Sequence, residues 1–382
     1  MRCVISVCLC ACAFAIASSE EGGEKKPAAA NVNPGVSVQI AILLDTSNSM
    51  DGLIAQAKTQ LWTIVNEFVK AKKNGRTPLI EVALFEYGKT TLPANEGYVR
   101  LILPLTDDLD KVSEELFALT TNGGDEYCGW VIREAVNRLQ WNPSSGVYKA
   151  MFIAGNEPFT QGAVDFHASC KSAIEKGILV NTIFCGASAE GDRTGWKDGA
   201  VLADGRYMSI NQDQKVVEIP APQDAEIARL GVSLNTTYIP YGRLGHEGEA
   251  RQRVQDSNSQ SLSAANFATR SLSKANAFYC NDAWDLVDAL KNDKVKLAEL
   301  KDEDLPEGLR KLDLAGRKAK VEAAARQRAE IQAQILKLNE AREKFLVVER
   351  KKLADKAGAE SLDQAMVKAI REQAARCDIR FP

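Results

Sequence analysis

Asp45-Thr46-Ser47-Asn48-Ser49 places one carboxylate and two hydroxyls at alternate positions. On one side of a loop these are three hard oxygen donors. Mg²⁺ and Mn²⁺ prefer such ligands, and Mg²⁺ usually keeps several waters besides. Ser and Asp are also favoured helix N-caps, so the same run reads equally as the capped start of a helix. The flanks say where it sits. Ile40, Ile42, Leu43 and Leu44 form a short apolar run before it, which predicts a strand buried on both faces. Leu53, Ala57, Leu61, Ile64, Val65 and Phe68 follow at helical spacing, which predicts a helix from about Asp51. The polar residues therefore occupy a strand-to-helix turn at the carboxyl end of a central strand. Open α/β sheets bind ligands there.

With that strand before it, and Met50 and Gly52 after it, the stretch resembles the von Willebrand factor A family over roughly residues 36 to 186. The resemblance implies a doubly wound, mostly parallel, Rossmann-like sheet. It also implies a metal-ion-dependent adhesion site that opens with Asp45, Ser47 and Ser49 at the end of the first strand. The family's Gly-rich loop supplies a Thr ligand just before a helix. Here Thr120-Thr121-Asn122-Gly123-Gly124-Asp125-Glu126 precedes a helical pattern (Trp130, Val131, Ala135, Leu139), but Asp125 follows the glycines. Either Asp125 takes the ligand position or Thr121 reaches it from the other side; an acidic first turn facing the helix dipole is the structural alternative. The next central strand ends in an Asp in the family. Here it ends Ala154-Gly155-Asn156-Glu157, so Gly155 stands at the expected Asp position, and Asn156 or Glu157 would substitute through a water. Such a partly degenerate site implies Mg²⁺ first, with Mn²⁺ or Ca²⁺ as alternatives. It also implies a protein partner whose acidic group completes the coordination.

The rest of the chain frames this site. Met1-Arg2 and the apolar run to Ala17 read as a signal peptide over residues 1–17, too short to span a bilayer. Cys12, in Leu9-Cys10-Ala11-Cys12, offers a lipoprotein anchor as the alternative. Residues 18–35 read as a flexible linker, 36–241 as the A domain and 242–382 as an α-helical region with a long charged helix. Strands are expected at 79–87, 99–103 (an antiparallel edge, as in the family), 148–154, 178–184 and 206–210, with a short extra one at 216–219. Residues 186–205 read as an inserted loop and 283–300 as one amphipathic helix. On the long helix, Ile331, Ile335, Leu338, Phe345 and Val348 form a stripe that Arg342 and Glu349 interrupt. That favours a helical hairpin or packing against the first domain over a long coiled coil. Ser361-x-x-Gln364 is a capping box before the last helix.

The chain has 382 residues and a formal net charge of −3, so no global basic field points to nucleic acid. No later apolar run is long enough for a membrane span. Nine cysteines are present, and removal of the signal leaves Cys128, Cys170, Cys185, Cys280 and Cys377, with no metal-type spacing. Buried apolar cysteines and one disulfide among them are both open. Only two histidines occur, His167 and His246, and neither adjoins a nucleophile in sequence; no Gly-rich phosphate loop with a Lys is present. The expectation is therefore not an enzyme. It is an exported, periplasmic or extracellular, metal-dependent binding protein similar to secreted A-domain proteins of bacteria. The alternative is a metal-free scaffold that assembles through its C-terminal helices.

Overall fold

Strand β1 (Val36–Asp45) sets the architecture, because its successive side chains are apolar on both sides. Ile40 and Leu44 pack into one core and Ala41 and Leu43 into another, the period-2 alternation of a strand at the centre of a sheet. The computed structural model describes residues 35–211, 213, 218–354 and 362–381. The readings on residues 1–34, including the signal and Cys12, on 216–217 and on Ser361 lie outside the described residues, and residues 218–219 belong to no strand.

The remaining strands are β2 (Leu79–Tyr87), β3 (Val99–Thr106), β4 (Tyr148–Gly155), β5 (Leu179–Cys185) and β6 (Tyr207–Ile210). They form one six-stranded sheet in the order β3-β2-β1-β4-β5-β6, in which only β3 runs antiparallel. In chain order the helices are α1 (Asp51–Lys70), α2 (Leu109–Ala118), α3 (Cys128–Arg138), α4 (Phe166–Glu175), α5 (Ser188–Arg193), α6 (Trp196–Leu202), α7 (Asp224–Asn235), α8 (Gly245–Leu262), α9 (Ala264–Lys274), α10 (Leu286–Lys291), α11 (Glu307–Arg310), α12 (Leu314–Ala354) and α13 (Leu362–Ala374). The fold is thus the doubly wound, mostly parallel α/β class with a helical C-terminal region. Strand order reverses between β1 and β4, so the switch-point crevice lies between the ends of those two strands.

Two expectations change. Residues 186–205 are not a loop: they carry α5 and α6, and the wholly buried Trp196 anchors the second of these in the core. The amphipathic pattern over 283–300 yields only the short α10 and a 3₁₀ turn at Leu297–Glu299, because Asp293 adopts a left-handed φ of 53° just past the helix. The five cysteines from Cys128 onward are all free thiols.

The C-terminal helices pack into the sheet's own core. Ile335 of α12 and Met366 and Ile370 of α13 share one apolar cluster with Ile40, Leu44, Leu61 and Phe68. The helix α13 lies against α1, whose Gln56 and Gln60 side chains accept hydrogen bonds from the backbone N–H groups of Leu362 (3.3 Å) and Asp363 (2.9 Å). These are N-terminal donors that no intrahelical carbonyl reaches. The helix α12 packs along α7, α9 and α10 rather than beside a helix of its own length. Arg342, which breaks the apolar heptad in the sequence, is buried and gives its Nε to Asp224 Oδ1 at 2.6 Å. Arg328, earlier on the same helix, reaches Asp285 Oδ2 at 2.7 Å and Asp288 Oδ1 at 2.9 Å.

A further buried network ties α2, α8 and α9. Arg270 donates to Asp110 Oδ1 (2.7 Å) and Asp256 Oδ1 (2.6 Å), and Lys274 Nζ lies 2.9 Å from Asp256 Oδ2. Burial alone would raise the Asp256 carboxyl, but Lys274 and Arg270 outweigh it and bring it down to about 2. Removing one partner strands buried charge, so Asp256→Ala should lower stability by about 3–5 kcal/mol in urea denaturation. A folded value below the unfolded one of about 3.9 means that this contribution is complete above that pH and fades as the pH falls through about 2. Acid titration of wild type against the variant checks the sign.

Candidate functional site

Asp45 ends β1 and is fully buried; Ser47 is nearly so, and Ser49 is exposed. The loop folds back on itself: the Ser47 N–H donates to Asp45 Oδ1 at 2.7 Å, and the Met50 N–H donates to the Ser47 carbonyl at 3.1 Å. A 3₁₀ turn (Asn48–Met50) then leads into α1. Neither Ser47 nor Met50 caps the helix through its side chain, so the N-cap reading does not account for the serines. Their hydroxyls face each other at 3.1 Å instead. Asn156, beyond β4, reaches the outer one, with Nδ2 3.2 Å from Ser49 Oγ. The structure therefore brings together Asp45, Ser47, Ser49 and Asn156.

The other expected residues are placed differently. Thr121 donates its hydroxyl to Asp51 at the start of α1. Asp125 is exposed and accepts a hydrogen bond from the Tyr127 hydroxyl at 3.3 Å. Glu157 is exposed as well, and its carbonyl accepts from Trp196 Nε1 at 2.8 Å, which pins the loop after β4 to α6. The Gly-rich loop does cross the site, since the Asn122 N–H donates to the Thr46 carbonyl at 2.9 Å. The carboxyl that this loop turns towards Asp45 belongs to Glu126, one residue past the expected Asp125. Glu126 is 4% exposed, and its backbone N–H is held by Gln161 Oε1 at 2.8 Å.

Two glycines make room for this arrangement. Gly88 follows β2 with φ of 83°, and a Cβ there would meet Glu126 Cγ at 2.7 Å and Asp45 Oδ1 at 2.8 Å. A Cβ on Gly155 would meet the Tyr87 hydroxyl at 2.5 Å and Asp45 Oδ2 at 3.2 Å. Tyr87 itself is fully buried and donates to the Ala154 carbonyl at 3.0 Å. Position 155 is therefore beside Asp45, as the family resemblance implies, but its side-chain space is filled by a phenol.

Electrostatics follow from burial. Desolvation first, and the neighbouring Glu126 carboxyl second, push the Asp45 carboxyl well above the usual carboxylate range. Burial also raises Glu126. Asp45 Oδ2 and Glu126 Oε2 are both buried without a hydrogen-bond partner. Facing carboxyl groups whose Oδ2 and Oε2 atoms find no donor favour a shared proton or a cation. The donor set around them, two carboxylates and two hydroxyls, suits a hard divalent ion. Among the described residues, no three or more His, Cys, Asp or Glu side chains gather in a metal-type cluster, so a cation here would have two carboxyls at most, with hydroxyl or water oxygens as its other ligands.

The sheet order, the single antiparallel edge strand and an Asp-x-Ser-x-Ser loop at the switch point fit a von Willebrand factor A-type fold. No family model matches the chain, and no curated protein matches it. Among solved structures, it is similar to a conserved hypothetical protein, BatB from Bacteroides thetaiotaomicron, at 20% identity over 45% of this chain and 90% of that one, with a TM-score of 0.35. An aerotolerance-related membrane protein from Bacteroides fragilis aligns at 20% identity over 46% of this chain and 93% of that one, with a TM-score of 0.33. The SpRpn10 VWA domain aligns at 16% identity over 48% of this chain and its full length, with a TM-score of 0.35.

A raised Asp45 means that the folded state holds this proton more tightly than the unfolded chain does. Without a divalent cation, this group should cost nothing below about pH 4 and should lower stability as the pH rises through its raised value. Melting of chelator-treated protein from about pH 4 to about pH 8 reads this out, with Asp45→Asn expected to flatten the fall. A wild-type profile no steeper than the variant's would contradict it.

Proposed function

We propose that the protein is an exported module that binds a protein partner through a divalent cation, Mg²⁺ before Mn²⁺ or Ca²⁺. The observation that carries this reading is the pair of unpartnered, buried carboxyl oxygens on Asp45 and Glu126, beside the paired hydroxyls of the buried Ser47 and the exposed Ser49. Asp45, Ser47 and Ser49 would hold the ion, and Asn156 would orient Ser49. A bound cation supplies an open coordination position that an acidic group of the partner completes. The protein does not act as an enzyme in this reading. His167 Nδ1 lies 2.7 Å from Asp165 Oδ1 at the surface, and His246 is exposed in the first turn of α8, so neither serves a nucleophile.

A metal-free scaffold is the second reading. It is favoured by the lack of a third acidic, His or Cys ligand among the described residues, which would let Asp45 and Glu126 share a proton instead. Mg²⁺ titration separates the two. We expect a Kd of roughly 10⁻⁴ to 10⁻³ M, the range of extracellular low-affinity modules. At about a hundred times Kd, binding should stabilise the fold by about 2.7 kcal/mol. Asp45→Ala should abolish the shift in melting temperature and Ser49→Ala should weaken it. No shift in the wild type with Mg²⁺, Mn²⁺ or Ca²⁺ would leave the scaffold reading.

Export rests on the apolar run from Val4 to Ala17. N-terminal sequencing should find a mature chain starting near Ser18. A lipid on Cys12, detected by mass spectrometry, would select envelope anchoring, and an intact Met1 on cytoplasmic protein would refute export.

A further inference from the structure

We infer that Glu126 is the relocated second carboxylate of the cation site, taking over from position 155 because the Tyr87 hydroxyl fills the space a side chain there would use. The inference rests on the cation-dependent reading above and adds to it which residue supplies the second charge.

Four observations converge. First, position 155 cannot supply it: even one carbon on Gly155 would stand 2.5 Å from the Tyr87 oxygen, and that oxygen is fixed by its hydrogen bond to the Ala154 carbonyl. Second, the space that Glu126 needs is kept open. At Gly88 a Cβ would collide with both Glu126 Cγ and Asp45 Oδ1, so the two side chains meet in the gap that this glycine leaves. Third, Glu126 is aimed rather than loose. Gln161 Oε1 holds its backbone N–H, and its side chain is buried with Oε2 unpartnered, as is Asp45 Oδ2. Fourth, the neighbouring acid is engaged elsewhere, because Asp125 is exposed and bonded to Tyr127.

Charge explains why a replacement matters. With Asp45 alone, a divalent cation would keep an excess positive charge in a buried pocket, which is costly. Asp45 and Glu126 together match its charge of two. The hydroxyls of Ser47 and Ser49 then supply neutral oxygens, and Ser49 lies on the solvent side, where a partner approaches. Cation affinity in oxygen-ligand sites is tuned by the number of charged ligands, so deleting one carboxylate should be felt directly.

The test uses the purified full chain and Mn²⁺ alone, with the loss of the free-ion paramagnetic resonance signal and the shift in melting temperature as readouts. Glu126→Gln, close to isosteric, should weaken Mn²⁺ binding about tenfold or more. It should also raise the melting temperature of the chelator-treated protein, because the facing charges are gone. Asp125→Asn should bind as the wild type does. In the Glu126→Gln background, adding Tyr87→Phe and Gly155→Asp returns a carboxylate to position 155 and should restore most of the affinity. Wild-type affinity in Glu126→Gln would overturn the assignment alone. So would a triple variant that binds no better than Glu126→Gln. A wild type that binds no Mn²⁺ would overturn the cation-dependent reading itself, and the assignment with it.

Discussion

Burial of β1 on both faces is the constraint from which the rest of the structure follows. A strand with Ile40 and Leu44 on one side and Ala41 and Leu43 on the other cannot leave either side to water. One side is covered by α3, α4 and α6, whose Val131, Phe166 and Trp196 fill that core. The other is covered by α1 and α2 and by helices from the end of the chain, through Ile335, Met366 and Ile370. The same constraint carries Asp45 into the interior, because it is the last residue of a strand with no exposed edge. The acid is buried by topology before any ligand is considered.

The protein's treatment of its other buried charges shows how unusual that acid is. Arg270 and Lys274 neutralise Asp110 and Asp256, Arg328 neutralises Asp285 and Asp288, and Arg342 neutralises Asp224. In each case a guanidinium or ammonium lies within 3 Å of the carboxylate, which is what burial of a charge requires. Asp45 faces Glu126 instead. Neither Asp45 Oδ2 nor Glu126 Oε2 has a donor, although the fold elsewhere finds a cation for each buried acid in these networks. Retaining two carboxyls in contact destabilises the folded state unless a proton or a metal ion joins them.

Much of this was legible in the sequence, and for a definite reason. Hydrophobic periodicity reports which residues leave water, and it reports locally. It was enough to place β1, α1 and the turn between them; the place of Gly155 beside Asp45 and the edge position of β3 were what the family resemblance implied. Where the pattern was ambiguous it failed locally too. Residues 186–205 looked like a loop because Gly and Asp outnumber apolar residues there, yet the single side chain of Trp196 is enough to seat α6.

What the sequence determined by itself was therefore the scaffold and the address of the site: a buried strand and an Asp-x-Ser-x-Ser turn after it; the Gly-rich loop was brought to that turn only by the family resemblance. Tertiary structure alone decided which charges meet. Arg342 looks like a solvated break in a heptad until Asp224, far away along the chain, comes to lie beneath it, and Asp285 meets Arg328 of the same helix in the same way. Asp125 and Glu126 are equally acidic neighbours in the sequence. One points out and the other in because Gln161 holds the backbone at 126 and Gly88 leaves the gap. Periodicity records the average medium around a residue. The identity of a buried partner depends on contacts between distant segments, and those exist only once the sheet and its helices have packed.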